Sequence, residues 1–198
     1  MFEAAKENQL TFRKLAQRIR VPAGFLLAPL LIIAARPTLR SLVVGAAIAI
    51  LGLMIRAWAS GYLKKNLELT TSGPYARTRN PLYLGTFILG AGIATASGAL
   101  WFVALFMVLY LLIYVPVMLA EAETLRKLFP EEFDLYSRSV PLFLPRLTPF
   151  AAKGDQKPAC GERRFAVSQY MKHREYRAAL GLVAVYTMLL AKFFFMRS

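Results

Sequence analysis

Apolar residues in this chain are grouped into five long runs, and a polar, basic or turn-forming stretch separates each run from the next. An α-helix needs about 20 residues to cross a hydrocarbon core of about 30 Å. The pattern therefore predicts an all-α fold, a polytopic transmembrane helical bundle of about five spans. The predicted spans are residues 21–35, 39–62, 82–97, 99–120 and 178–196.

The first run is short for a span. Arg36 and Pro37 end it and prolines within it bend the helix, so it either crosses the membrane with little tilt or only dips into it. A secretory signal is an alternative, because a basic stretch precedes the run and Ala34 and Ala35 are small, but that stretch is long for a signal. Only residues 96–99 separate the third and fourth runs, which predicts a tight helical hairpin.

Composition and charge agree with a membrane protein. Hydrophobic residues make up 57% of the 198 residues, above the roughly 45 to 50% of soluble domains. The net charge of +14 does not indicate nucleic acid as a partner, because the basic residues flank the apolar runs. Anionic membrane lipids are the partners that these residues predict, with an attraction of about 1 kcal/mol for each.

The basic residues also predict the orientation of the chain. Residues 1–20 contain five Lys or Arg, residues 63–80 contain four and residues 121–177 contain eleven, whereas only Arg36 and Arg40 lie between the first two runs. Cytoplasmic loops carry the excess of basic residues. We therefore predict a multi-pass protein with its N-terminus, the 63–80 loop and the 121–177 segment in the cytoplasm.

The chain divides into four parts. In residues 1–20 apolar side chains recur at helical spacing with the basic ones on other faces, which predicts a basic interfacial helix; a frayed basic tail is the alternative. Residues 21–150 form the transmembrane core and residues 151–161 a linker. Residues 162–198 form a basic surface helix followed by the last span.

Metal and thiol chemistry have little support. The chain has one cysteine, Cys160, and one histidine, His173. A single cysteine cannot form an intramolecular disulfide, and it does not by itself make a zinc or iron–sulfur site. We predict no metal site and no mechanism built on a Cys–His pair.

Arg56 lies within the second run, where a charged side chain is costly to insert, by about 2.5 to 3.5 kcal/mol. Its side chain either extends to the membrane surface or faces the bundle near a functional site, and the sequence leaves both open. Gly45 and Gly52 give the same helix a small face, which favours close packing against a neighbour.

The segment before the third run, residues 73–85, combines turn formers, two arginines and two tyrosines. Pro81 suits the first turn of a helix, where its missing amide is not needed. Arg79 presents a planar fork of donors that matches a carboxylate, and Tyr83 lies one turn into the helix. The segment predicts a rigid polar pocket at the membrane surface; contact of Arg79 with lipid phosphate is the alternative.

Glu121 and Glu123 lie where the fourth run leaves the membrane. Two residues apart on a helix, they point in different directions, so one site does not use both. Glu123 also has the i, i+4 spacing to Lys127 of an ordinary surface pair. An amphipathic helix is predicted over residues 121–133, after which the chain turns extended at Pro141.

Gly-Pro-Tyr, Arg-Asn-Pro-x-Tyr-x-Gly, an acidic pair and Val-Pro-x-x-x-Pro occur in that order over roughly residues 40–148. In this arrangement the chain resembles the isoprenylcysteine carboxyl methyltransferase and phospholipid methyltransferase families. The resemblance implies that S-adenosylmethionine binds on the cytosolic side, in the segment after the fourth span. A lipophilic or amphiphilic acceptor, such as a lipid or a prenylated molecule, would enter from the bilayer.

Site residues follow from the same resemblance, position by position. Arg79 and Glu123 would be catalytic. The residues expected to bind the cofactor are Tyr75, Asn80, Pro81, Tyr83, Gly85, Glu121, Tyr136 and Pro141. The carboxylates of this set are suited to accepting a ribose hydroxyl, offsetting a sulfonium charge or orienting the substrate.

Two departures from the family pattern leave the acceptor open. Enzymes that methylate prenylcysteine typically have histidine where this chain has Asn80, and their acidic run is denser than one interrupted by Ala122. A prenylcysteine-like carboxylate therefore stands beside a lipid amine, a quinone-like phenol and a small hydrophobic molecule as the predicted acceptor.

Two other functions compete with methyl transfer. A membrane reductase resembling the steroid reductases would share the Asn-Pro-x-Tyr element and use NADPH, but those enzymes usually have an acidic residue where this chain has Thr86. A non-catalytic membrane scaffold or lipid-binding protein is the alternative from a different class.

Overall fold

The computed structural model describes residues 27, 29–63, 69–150, 166, 170–171 and 175–197. Within these residues every regular element is helical, which confirms the all-α prediction. The elements are α1 (Leu39–Tyr62), a short 3-10 helix (Gly73–Ala76), α2 (Pro81–Ala96), α3 (Leu100–Leu128), α4 (Pro130–Ser139) and α5 (Tyr176–Phe195). Residues 29–34, before α1, are also helical.

Three of these helices, α1, α3 and α5, are long and apolar enough to cross a membrane. Helix α2 has 16 residues and is about 24 Å long at 1.5 Å per residue. The first predicted span is described only in its last part. The predicted interfacial helix at residues 1–20, the 151–161 linker and most of the surface helix after it lie outside the described residues, as do Cys160 and His173.

Helices α1 and α2 pack through their glycines, as the small face of the second run predicts. A Cβ atom added to Gly45 would lie 2.6 Å from the Ala96 amide nitrogen and the Gly92 carbonyl oxygen. One added to Gly52 would lie 2.7 Å from the Gly85 carbonyl oxygen. The two backbones are therefore in direct contact along much of α2. Small residues permit this approach, on which helix association in lipid depends.

The turn between α2 and α3 rests on the segment that precedes α1. Gly98 has a φ of 74°, a conformation that favours glycine. The Arg36 amide donates to the Ser97 carbonyl at 2.7 Å. Thr38 then begins α1 with a capping box, in which Thr38 and Ser41 each bond the backbone amide of the other. The predicted tight hairpin is thus fixed at the base of α1.

Helix α3 is longer than the predicted span. Its 29 residues measure about 44 Å, so it extends about 14 Å beyond a hydrocarbon core of about 30 Å. The predicted amphipathic helix over residues 121–133 is wrong in its bounds: α3 continues to Leu128, and α4 begins at Pro130. Proline disfavours helical backbone in its predecessor, so Phe129 leaves the helix and Pro130 begins the next one.

Helix α5 contacts the rest of the bundle mainly through a few anchors. Leu189 is buried against the core. The Tyr186 hydroxyl donates to the Leu42 carbonyl at 3.4 Å, and the Lys192 ammonium donates to the Ile33 carbonyl at 2.9 Å. Most other apolar side chains of α5 are exposed, as expected for a face turned towards lipid.

The glycine contact yields a stability prediction. Gly52→Ala forces a Cβ into the α2 backbone, and such overpacking destabilises by about 1 to 3 kcal/mol. We expect a lower thermal unfolding temperature in detergent, measured by scanning fluorimetry. The control is Gly181→Ala in α5, because an added Cβ there meets nothing within 4 Å. Equal unfolding temperatures for the two variants would contradict the close packing.

Candidate active site

Backbone hydrogen bonds join the loop before α2 to the proline-rich segment after α4. The Arg79 amide donates to the Pro141 carbonyl at 3.0 Å, and the Phe150 amide donates to the Ala76 carbonyl at 2.8 Å. In the same direction as the Phe150 bond, the Arg146 amide donates to the Arg77 carbonyl at 2.9 Å. The prolines keep this segment extended and leave its carbonyls available, so two stretches about 65 residues apart form one surface.

Polar side chains strengthen the same junction. Asn80 donates from Nδ2 to the Leu142 carbonyl at 2.9 Å, and the Thr78 hydroxyl donates to the Phe143 carbonyl at 2.9 Å. Asn80 therefore holds the loop in place. Pro81 is the first residue of α2, as predicted, and it is buried.

Tyr75 and Tyr136 form a buried contact beneath this loop. The Tyr136 hydroxyl donates to the Tyr75 carbonyl at 2.7 Å. Burial raises the pKa of both phenols above the ordinary value, although the positive charge of Arg79 acts to lower the pKa of Tyr136. Both hydroxyls therefore stay protonated at neutral pH, and Tyr136 acts as a donor that fixes the 3-10 helix.

Arg79 has the environment of a binding residue. Its guanidinium carbon lies 5.9 Å from the centre of the Phe133 ring, a cation–π distance. Its Nε atom is buried and has no hydrogen-bond partner within the described residues. Burial lowers the pKa of Arg79 from its usual value, but an arginine stays charged at neutral pH. A charged donor is thus held in place with hydrogen-bonding capacity unused.

Tyr83 and Glu121 connect α2 to the projecting end of α3. The Tyr83 hydroxyl donates to the Glu121 Oε1 atom at 2.7 Å. The Tyr83 ring lies 5.5 Å from the ring of Tyr114. Glu123 is exposed two residues farther along α3, rotated by about 200° from Glu121. The two carboxylates therefore point in different directions, as the sequence predicts, and Glu121 is the one that contacts the motif residue Tyr83.

Two other predicted cofactor residues have clear structural neighbours. The Pro141 carbonyl accepts a hydrogen bond from the Arg79 amide, as described above. Gly85 is buried against α1, where an added Cβ would lie 2.7 Å from the Cγ atom of Arg56. Gly85 therefore provides close helix packing, and its part in cofactor binding stays a prediction.

An ion pair beside α2 contains a residue that sequence reasoning missed. Arg56 donates from Nε to Oε2 of Glu175 at 3.0 Å and from Nη2 to Oε1 at 3.0 Å. Its Nη1 atom donates to the Thr86 hydroxyl oxygen. Arg56 therefore faces the bundle. Glu175 lies 119 positions away from Arg56 and belongs to no recognised motif. The sequence indicated only that an arginine within a span requires a partner, without indicating which residue it is.

A cavity of about 250 Å³ lies between α2 and α3. Its wall is mostly apolar and includes Leu89, Ile93 and Phe106. Thr86 and Tyr110, whose side chains carry hydroxyl groups, are also lining residues. The described ranges contain no group of three or more His, Cys, Asp or Glu side chains placed to hold a metal ion.

The apolar helices of spanning length among the described residues indicate a helical integral membrane protein. Residues 40–132 match the family model of phospholipid methyltransferase. The match confirms the resemblance drawn from the sequence motifs. It includes Arg79, Glu121 and Glu123 and ends before Tyr136 and Pro141.

Two curated proteins are similar to the chain. A nickel-cobalt-cadmium resistance protein of Alcaligenes xylosoxydans is 35% identical over 100 residues, which cover 50% of this chain and 46% of that protein. A cobalt-zinc-cadmium resistance protein of Cupriavidus metallidurans is 38% identical over 141 residues, 65% of this chain and 62% of that protein. The chain thus spans about half to three-fifths of the length of these relatives. No solved structure is significantly similar to it.

The tyrosine contact yields a second prediction. Tyr136→Phe leaves the buried Tyr75 carbonyl without its donor, which lowers the unfolding free energy by about 1 to 3 kcal/mol. Thermal unfolding in detergent measures the change. Tyr176→Phe is the control, because Tyr176 is exposed at the start of α5. If both variants unfold at the wild-type temperature, the Tyr136 hydroxyl does not support the loop.

Proposed function

We propose that this protein transfers a methyl group from S-adenosylmethionine to a lipophilic or amphiphilic acceptor, at a site on the cytoplasmic side of the membrane. The observation that carries the proposal is the buried Nε atom of Arg79, which has no hydrogen-bond partner within the described residues. The match of residues 40–132 to the phospholipid methyltransferase family model supports the reaction class. The distribution of basic residues supports the orientation.

The residues present fit the amino-acid end of this cofactor. A carboxylate is the group that best matches the donor fork of an arginine, and Arg79 has donor capacity to spare beside the rings of Phe133 and Tyr136. The loop that carries Arg79 is held by the Pro141 and Leu142 carbonyls. We assign the carboxylate to Arg79, with Tyr75, Asn80, Pro81, Tyr136 and Pro141 maintaining the pocket.

S-adenosylmethionine supplies a methyl group made electrophilic by its sulfonium. The protein's own contribution is then mainly positioning, because donor and nucleophile must be held about 3 to 3.5 Å apart and in line. Tyr83 holds Glu121 at the end of α3 facing α2, where the carboxylate is placed to accept a ribose hydroxyl or to offset positive charge. Glu123 remains the proposed proton acceptor for a protonated nucleophile.

Binding of the demethylated product, S-adenosylhomocysteine, tests the cofactor assignment. We expect micromolar affinity for purified wild type by isothermal titration calorimetry. Arg79→Ala should bind at least about tenfold more weakly, since a hydrogen bond to a charged group contributes about 1.5 to 3 kcal/mol. Arg79→Lys should be intermediate because lysine keeps the charge without the fork. Arg138→Ala, at an exposed arginine of α4, is the matched control.

NADPH is titrated in parallel, because the reductase alternative shares part of the motif. Unchanged affinity for S-adenosylhomocysteine in Arg79→Ala would remove Arg79 from the site. Selective binding of NADPH by wild type would instead replace the methyltransferase proposal with a reductase.

A turnover assay distinguishes the proposed roles of Glu121 and Glu123. Membranes containing the protein are supplied with S-adenosylmethionine labelled in its methyl group, and label is counted in the extracted lipid fraction. Glu123→Gln should abolish incorporation while S-adenosylhomocysteine still binds, because this change removes a base rather than a binding group. Glu121→Gln should weaken that binding. The reverse assignment of effects would make Glu121 the catalytic carboxylate, and membranes without the protein set the background.

A further inference from the structure

At one end of the cavity between α2 and α3 lie Thr86 and Tyr110, and the hydrogen of each hydroxyl group is already used in a hydrogen bond. The Thr86 hydroxyl donates to the Leu82 carbonyl at 2.8 Å, and the Tyr110 hydroxyl donates to the Tyr83 carbonyl at 2.6 Å. A hydroxyl has one hydrogen and two lone pairs. The Thr86 oxygen also accepts from Nη1 of Arg56, which leaves it one lone pair. A molecule in the cavity can therefore be accepted by that lone pair and by the oxygen of Tyr110, but neither hydroxyl has a free hydrogen to donate.

The guanidinium group of Arg56, which contacts Thr86, also has its donors in use. Arg56 donates to Thr86 from Nη1, and its other two nitrogens engage both carboxylate oxygens of Glu175. The side chains are only 21% and 10% exposed. A bidentate pair of this kind uses the arginine fork that a carboxylate ligand would need. An anionic ligand would have to displace Glu175 to reach Arg56, and none of the described residues that line the cavity is cationic.

The cavity also adjoins the candidate active site. Tyr114, which lines it, stacks on Tyr110 with ring centres 4.1 Å apart and lies 5.5 Å from the ring of Tyr83. Tyr110 bonds the backbone of the same Tyr83. A molecule in the cavity thus has its polar end next to the first turns of α2, where the cofactor residues are proposed to lie.

We propose that this cavity binds an uncharged lipophilic molecule whose polar group is a hydrogen-bond donor, an alcohol, a phenol or an uncharged N–H, received by the oxygens of Thr86 and Tyr110. The proposal rests on the proposed function in one respect, that this molecule is the methyl acceptor. It separates the acceptors that the sequence left open, because a carboxylate finds no partner here. Glu175 is a positioning residue that keeps Arg56 neutralised and on Thr86.

Three matched probes test the inference by titration calorimetry in detergent: 4-octylphenol, its methyl ether 4-octylanisole, and 4-octylbenzoate. Wild type should bind the phenol about three- to tenfold more tightly than the ether, which cannot donate. The benzoate should bind more weakly than the phenol. Thr86→Val and Tyr110→Phe should each reduce this preference for the phenol. Thr95→Val is the matched control. The Thr95 hydroxyl makes the same kind of hydrogen bond, to the Ala91 carbonyl at 2.8 Å, nine residues farther along α2.

A variant that gains affinity is also tested, because misfolding could explain a loss of binding but not a gain. Glu175→Gln frees the guanidinium fork of Arg56, so affinity for 4-octylbenzoate should rise about tenfold while affinity for 4-octylanisole does not. Equal binding of phenol and ether by wild type, tightest binding of the benzoate, no probe binding, or no gain in Glu175→Gln would each overturn the inference.

S-adenosylhomocysteine is titrated into the same preparations. Wild type that binds it but does not discriminate among the probes refutes the cavity assignment alone. Wild type that discriminates among the probes but does not bind it refutes the methyltransferase proposal and keeps the cavity as a lipid-binding site.

Discussion

The direct backbone contact between α1 and α2 determines where the other functional groups lie. Lipid tails are as apolar as the side chains of a span, so helices in a membrane do not associate by hiding apolar surface from water. Gly45 and Gly92 let the two backbones touch, and dispersion contacts then hold the pair. The same contact carries Arg56 of α1 to Thr86 of α2 and sets the position of Pro81, at which α2 and the candidate site begin.

A second constraint assembles the site from distant parts of the sequence. The loop that carries Arg79 obtains its backbone partners from residues 141–150, which lie beyond the matched family segment of residues 40–132. Glu175, farther still, compensates the charge of Arg56. The matched segment therefore contains the motif, and the following residues supply the support that gives the motif a fixed shape.

Local physical rules made much of this predictable. Apolar runs gave the helices, glycine spacing gave the packing face of α1, and Pro81 gave the start of α2, because each depends on residues close in sequence. The end of α3 was predicted wrongly because the amphipathic pattern continues past Pro130, whereas the proline ends α3 at Leu128 and begins α4. Glu175 and the hydroxyl groups of Thr86 and Tyr110 were missed for another reason. Their roles depend on partners on other helices, and the periodicity of a sequence gives no information about such partners.

The shortness of α2 has a consequence for the surrounding bilayer. A helix about 24 Å long beside a hydrocarbon core of about 30 Å leaves a hydrophobic mismatch, which lipids relieve by thinning locally at modest free-energy cost. Thinning of this kind would bring the headgroup region closer to the ends of α2, one of which carries the Arg79 loop. A lipophilic molecule diffusing in the plane of the membrane would meet the site with its tail still among the acyl chains. The geometry of one helix thus shortens the distance over which such a molecule has to leave the lipid.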